Sequence, residues 1–333
     1  MTQAKWTTLV ADASIQRSSQ TLSVIDKDVY IYGGELRPRE PVDSTIYRLP
    51  INPNATSISP ITQTTTPQPR VGAASTTLNG KIYIFSGRGG IAMAPIEESG
   101  AFWVYDPSTN TWSQVPPAES SAPYPAGRSY HALTTNGTDT IYLHAGCPEK
   151  GRLADLWAFN VNSRHWTELL GAPGPQRGGT SIAYAQGKVF RMNGFDGKTE
   201  QGGAVDVFDL EKNEWGTISY APDGVQGPSA RSVSCLLALE IAGRASLVTM
   251  FGERDPSALG HQGAGKMLSD VWAFDIEAQR WTEVVVGDEE RPPARGWFAA
   301  DVVSGSEKGS AIVVHGGLAE SNERLGDVWL LEF

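Results

Sequence analysis

No run of lysine or arginine stands out along the 333 residues, and acidic side chains outnumber basic ones 37 to 27, for a net charge of −10. A surface of that sign repels the phosphate backbone, so nucleic acid is excluded as a partner. No apolar stretch reaches the length needed to span a bilayer, and MTQAKWTTLVADASIQ lacks the apolar core of a secretion signal. A membrane partner is therefore not expected. Cysteine is nearly absent. Cys147 and Cys235 fit no metal or redox spacing and could form at most one bridge, which points to a reducing, cytoplasmic setting. No Gly-x-Ser-x-Gly elbow, Walker loop or dinucleotide fingerprint occurs, and the glycines follow apolar runs instead of opening helices.

Glycine (36), proline (21) and tryptophan (10) are plentiful, a composition that favours many short strands joined by turns. Six apolar runs end in glycine: VYIYGG at Gly34, IYIFSG at Gly87, IYLHAG at Gly146, VFRMNG at Gly194, LVTMFG at Gly252 and IVVHGG at Gly317. Upstream of each stands an arginine, at positions 17, 70, 128, 177, 231 and 295, with separations of 17, 17, 18, 17, 21 and 22 residues. That length suits two strands and a turn. Downstream, an aromatic is followed seven residues later by tryptophan, in Tyr105/Trp112, Phe159/Trp166, Phe208/Trp215 and Phe274/Trp281. The first repeat has Tyr47 without a matching tryptophan. The sixth stops at DVWLLEF, and KWTTLV near the N-terminus supplies its missing strand, with Trp6 in the tryptophan slot. Repeats of this kind form a radial array whose first and last blades must meet. The sequence thus predicts an all-β, six-bladed kelch β-propeller in one domain, residues 1–333, its ring closed by the N-terminal strand.

In such a blade the start of the first strand and the end of the second lie on one face. The loops after the glycines therefore gather around the mouth of the central channel, carrying Glu35, Arg88, Arg152, Asp196, Glu253, Asp255, His261 and Glu320. From the glycine to the next aromatic these loops run 13, 18, 13, 14 and 22 residues in blades 1 to 5, so the two longest face each other across the ring. A pocket between them, part apolar and part charged, is the expected binding site.

The blade-5 loop, FGERDPSALGHQG, sets Glu253, Asp255 and His261 within nine residues. Two carboxylates and an imidazole suit Fe(II), Mn(II) or Zn(II) with positions left open. The alternative is acidic residues solvating a long loop, with His261 bonded to its backbone. The six register arginines read as structural, tying neighbouring blades through carbonyls and carboxylates. Arg88 and Arg152 stand outside that register and could grip a sulfate, phosphate or carboxylate, or form rim ion pairs with Glu97 or Glu149. His131 and His315 fall within inner-strand runs and read as packed or channel-lining.

The stretches RGGTSIAYAQGKVF, NGFDGK, PSARSVSCL, GERDPSALGHQGAGKMLSD and VVHGGLAESNERLGDVW resemble the plant specifier proteins of glucosinolate breakdown, namely the nitrile-specifier, epithiospecifier and thiocyanate-forming proteins. The resemblance implies an Fe(II)-dependent lyase that steers a thiohydroximate O-sulfate, released by a separate thioglucosidase, to a nitrile. It implies a Glu-x3-Asp-x3-His iron loop, whose ends match Glu253 and His261. Ser257 occupies the middle position, and Asp255 is the nearest acid. It further implies Arg88 and Arg152 as sulfate contacts. The competing expectation is a non-catalytic kelch propeller that binds a protein or peptide on the same face.

Overall fold

Each apolar run ending in glycine forms the second strand of a blade sheet; five of the six are four-stranded and antiparallel, and the sixth gains a short fifth strand, Val285–Val286, parallel to its outer edge. The computed structural model describes residues 2–52, 54, 57–287, 290–303 and 310–333, and at position 261 the backbone alone. Blade 1 comprises Thr21–Ile25, Asp28–Tyr32, Ile46–Pro50 and Ser59–Ile61. Blade 2 comprises Ala74–Leu78, Lys81–Phe85, Phe102–Asp106 and Thr111–Val115. Blade 3 is built from Ala132–Thr135, Thr140–Gly146, Leu153–Asn160 and His165–Leu169. Ser181–Ala185, Lys188–Met192, Ala204–Asp209 and Glu214–Ser219 make blade 4. Leu237–Ile241, Arg244–Met250, Val271–Asp275 and Arg280–Glu283 make blade 5.

Blade 6 takes Ala299–Val303, Ala311–His315 and Asp327–Glu332 from the C-terminal end, and its outer strand is Gln3–Ala11. Trp6 pairs with Leu331, just as Trp166 pairs with Phe159 and Trp281 with Phe274. The predicted ring closure is therefore present in register. Among the described residues no helix is long and apolar enough to cross a membrane.

The core is six seams instead of one centre. Each of six buried apolar clusters joins side chains of adjacent blades, from blades 1 and 2 round to blades 6 and 1. The tryptophans carry much of this burial and reach back to the preceding blade. Trp166 Nε1 donates to the Gly100 carbonyl at 2.8 Å, and Trp215 Nε1 to that of Leu170 at 2.8 Å. In these two blades the indole satisfies its one donor, whereas in the same slot Trp112 and Trp281 have a buried Nε1 without a partner.

The register arginines do a different job from the one expected. Their guanidiniums bond within their own blade, to the carbonyl just before the final glycine, as in Arg231 to Phe251 at 3.0 Å and Arg295 to Gly316 at 2.9 Å. Four also hold a carboxylate of that blade: Arg70–Glu98, Arg128–Asp155, Arg231–Asp270 and Arg295–Asp327. The tie between blades is made by their backbone. The glycine amide of each blade donates to the arginine carbonyl of the next, from Gly34 to Arg70 at 2.9 Å round to Gly317 to Arg17 at 2.9 Å. Glycine is required there. The φ at Gly34 is +92°, and a Cβ would meet the Ser18 carbonyl at 2.7 Å.

Candidate functional site

Two residues after each register arginine comes a position with left-handed backbone: Ser19, Gly72, Tyr130, Gly179, Val233 and Trp297, with φ from 47° to 63°. These six close a head-to-tail ring of backbone hydrogen bonds, each amide donating to the previous blade's carbonyl at 2.7 to 3.1 Å. The ring surrounds the channel and fixes its mouth. One residue after each final glycine, a second set forms backbone bridges to the strand openings: Glu35, Arg88, Cys147, Phe195, Glu253 and Leu318. The scaffold thus offers six equivalent sites at the mouth, and these carry chemically different side chains.

Over the ring lies a cavity of about 390 Å³, bounded by the loops of blades 1 to 5 and floored by Tyr130, Gly179, Val233 and Trp297. Its blade-2 and blade-3 wall is cationic. Arg88 is held by its own donors, with Nε to Ser129 Oγ at 2.8 Å, Nη1 to the Met93 carbonyl at 3.0 Å and Nη2 to the Pro148 carbonyl at 2.6 Å. Arg152 lies over the Phe195 ring at 5.1 Å, and its Nε is buried without a partner. Among the described residues neither guanidinium pairs with a carboxylate. Glu97, a rim candidate, instead accepts the Gly127 amide at 2.6 Å. Burial pushes the Cys147 thiol up, while Arg152 and Arg88 pull it down, so both charges bear on that side chain. Two guanidiniums without carboxylate partners in one cavity suit an anion.

The facing wall, on blades 4 and 5, is acidic. Glu253 is 6% exposed and its Oε1 accepts the Gly265 amide at 2.7 Å. Residue 265 has to be glycine, because a Cβ would stand 2.8 Å from that oxygen. Burial raises the Glu253 carboxyl above its ordinary range and Glu200 adds to the shift, against the Gly265 amide and Trp297. Glu200 is raised too, by burial first and then by Asp255 and Asp196, and its Oε1 is buried without a partner. Buried carboxyls held above their ordinary range, with Glu200 acting on Glu253 and Asp255 and Asp196 acting on Glu200, form a wall that suits positive charge.

The structure brings Glu253, Arg88 and Arg152 to one cavity, as the sequence predicts. Asp255 is turned outward, its side chain 66% exposed with Lys266 Nζ at 3.9 Å, and it reaches the acidic wall through its charge on Glu200. His261 belongs to the short turn Gly260–Gln262, and its side chain lies outside the described residues. Among the described residues no group of three or more His, Cys, Asp or Glu is disposed to hold a metal. His315 is packed: Nδ1 faces Gln20 Nε2 at 3.1 Å and Nε2 donates to the Ile15 carbonyl at 3.0 Å. His131 is also buried, edge-on to Phe85 at 5.6 Å. Sequence reasoning missed Tyr130, Cys147, Phe195, Glu200 and Trp297. All but Glu200 sit at a constant offset from a repeat arginine or glycine, and that offset was the available signal.

The profile of the KLHDC2/KLHL20/DRC7 Kelch-repeats domain matches residues 19–249. The chain belongs to the Kelch-repeat family. Among similar proteins is an N-(sulfonatooxy)prop-2-enimidothioate sulfolyase of Thlaspi arvense, 27% identical, the alignment covering 94% of this chain and 91% of that one. Another is the Kelch-like protein terF of Aspergillus terreus, 25% identical over 84% of this chain and 59% of its own. The solved structure of YjhT superposes with a TM-score of 0.72 at 15% identity, covering 96% of both chains. That likeness establishes the propeller fold alone.

Proposed function

We propose that this Kelch protein is a specifier-like lyase that directs breakdown of a thiohydroximate O-sulfate to a nitrile. The observation that carries the reading is the pair Arg88 and Arg152, without carboxylate partners on one wall of a cavity whose other wall holds Glu253 and Glu200. A sulfolyase among the relatives supports the substrate class. In the reaction the N–O bond breaks and its electron pair leaves on sulfate. The C–S pair becomes the third C–N bond, and sulfur departs at oxidation state zero. Charge builds on the sulfate oxygens as the N–O bond lengthens, and fixed guanidiniums stabilise that charge without reorganising. Arg88 is pre-set by its bonds to Ser129, Met93 and Pro148, and Arg152 by the Phe195 face.

The resemblance implies Fe(II), and the acidic wall fits a divalent cation: Glu200 Oε1 is orphaned and buried beside a second buried carboxylate. Glu253 and Glu200 would hold it, with His261 on the same loop as a further donor, whereas Asp255 is turned to solvent. When bound, the ion would supply a borderline Lewis acid able to accept the substrate sulfur. The chain's own contribution is orientation. It spaces the sulfate and the sulfur across one cavity, above a floor that the hydrogen-bonded ring holds rigid. The test is the product ratio when thioglucosidase releases the substrate with Fe(II) present. Wild type should raise nitrile over isothiocyanate, and an unchanged ratio would sink the lyase reading.

A second reading, a propeller that docks a protein or peptide, has its own support. Six large hydrophobics are exposed among the described residues, and three of them, Leu36, Ile91 and Leu259, follow the final glycines of blades 1, 2 and 5 on the mouth face.

A further inference from the structure

We infer that the cavity is built for an organosulfate with a bulky aryl or long alkyl tail, the tail lying on the channel floor while Arg88 and Arg152 hold the sulfate. The inference rests on the reading of that arginine pair as the anion site, and extends it to the uncharged half of the ligand.

The floor is apolar where the scaffold would more easily leave it open. All six ring positions take left-handed backbone, which glycine adopts without cost, and two of them, Gly72 and Gly179, are glycine. Val233 at φ 47°, Trp297 at 60° and Tyr130 at 52° are not. For a β-branched valine that conformation is a genuine outlier, costing on the order of 1–3 kcal/mol. Strain of this kind persists where the side chain has a use, and here the three side chains share the cavity floor. Tyr130 and Trp297 meet edge to face, ring centroids 5.2 Å apart. Both are held by ring hydrogen bonds of 2.7 and 3.1 Å at their amides, so the surface is preorganised.

The apolar surface begins next to the anion site. Met93 is 5% exposed, lines the cavity, and accepts Arg88 Nη1 with its carbonyl. A tail leaving a sulfate at Arg88 therefore meets Met93 first and the Val233–Trp297 floor next. The charged groups of the far wall, Glu200 and Glu253, belong to the loops of blades 4 and 5, and the Trp297 indole bears on the Glu253 carboxyl. The volume agrees: about 390 Å³ is more than a sulfate with a two- or three-carbon tail would fill, and falls within the range of pockets that enclose drug-sized ligands.

Titration calorimetry on the full chain, without metal or thioglucosidase, tests this separately from any lyase activity. The probes are phenylpropyl sulfate, methyl sulfate, inorganic sulfate and phenylpropanol. Burying a phenyl group is expected to tighten phenylpropyl sulfate over methyl sulfate by about tenfold or more, with phenylpropanol weaker than either sulfate ester. Met93→Ala and Val233→Gly should each shrink the ratio between the two esters to below about threefold, the second without loss of fold because glycine relaxes the backbone there. Equal affinity of the two esters in wild type would overturn the tail site, even if methyl sulfate binds. No binding of any sulfate would overturn the anion site with it. A tenfold preference together with an unchanged nitrile ratio would sustain this inference and remove the lyase reading.

Discussion

The guanidinium of Arg152 lies 5.1 Å from the centre of the Phe195 ring, and its Nε–H is buried with no acceptor. The Phe195 face holds the guanidinium, and among the described residues no carboxylate comes within ion-pair distance of it, Asp196 feeling its charge only from further off. Arg152→Lys should therefore weaken methyl sulfate binding by about tenfold, because an ammonium keeps the charge and loses the planar, stacked fork. Phe195→Leu should weaken it by about two- to tenfold, the cation–π share of about 0.5–1 kcal/mol or somewhat more. Calorimetric titration measures both. Loss of affinity in neither variant would mean that Arg152 is not an anion ligand.

The register arginines can be told from the site arginines by stability. Arg231 is buried and bidentate with Asp270, at 2.6 and 2.7 Å. Arg231→Met leaves that carboxylate uncompensated and should cost about 3–5 kcal/mol in urea unfolding. Adding Asp270→Asn should recover part of the loss. Arg177 is the internal control, since it bonds the Pro175 and Asn193 carbonyls and no carboxylate. Its blade uses the nearby pair Arg191–Asp206 instead. Burial, then Arg191, lowers the Arg177 pKa to about 10, and Arg177→Met should cost less than Arg231→Met.

These arginines also show how far the residues could be read in advance. The period of arginine, glycine and tryptophan gave six blades and the closure at Trp6, because every blade repeats the same bonds. It misassigned the link between blades to the guanidiniums, since the carbonyl of an arginine leaves no mark in a sequence. At the mouth, Arg88, Arg152 and Glu253 were legible as charges on loops. Phe195 and Trp297 were hidden among aromatics that elsewhere pack blades, and Glu200 enters the acidic wall through a loop fold that spacing does not encode.

Ring closure makes a further prediction. Trp6 is buried between Phe251 at 5.9 Å and Trp329 at 6.4 Å. Trp6→Ala should cost about 3–5 kcal/mol. Deleting residues 2–11 should bare the edge of Asp327–Glu332 and produce aggregates on size-exclusion chromatography. A monomeric, fully stable deletion would mean that the strand does not close the ring.

Asp301 gives a pH signature. Burial raises its pKa from 3.8 to about 6, against the amides of Val24 and Val302, each at 2.8 Å. The folded state therefore holds this proton more tightly than the unfolded chain. The cost of ionising it is present in full above about pH 6 and is lost as pH falls towards 4. Asp301→Asn should gain on the order of 1–3 kcal/mol over wild type at pH 8 and little at pH 4. Paired urea curves at the two pH values check the sign, and a gain larger at pH 4 would contradict it.

The acidic wall is tested by anaerobic metal analysis. Wild type soaked in Fe(II) and desalted should retain about one ion per chain, Glu253→Gln and Glu200→Gln much less, and Asp255→Asn as much as wild type. Retention lost only in Asp255→Asn would restore the carboxylate pair within the blade-5 loop.

The most direct test of the whole account is the nitrile-to-isothiocyanate ratio from one thioglucosidase reaction, run with Fe(II) and either wild type or Arg88→Gln/Arg152→Gln. The account predicts a ratio raised by wild type and returned to the protein-free value by the double variant. A double variant that directs nitrile formation as well as wild type would contradict it.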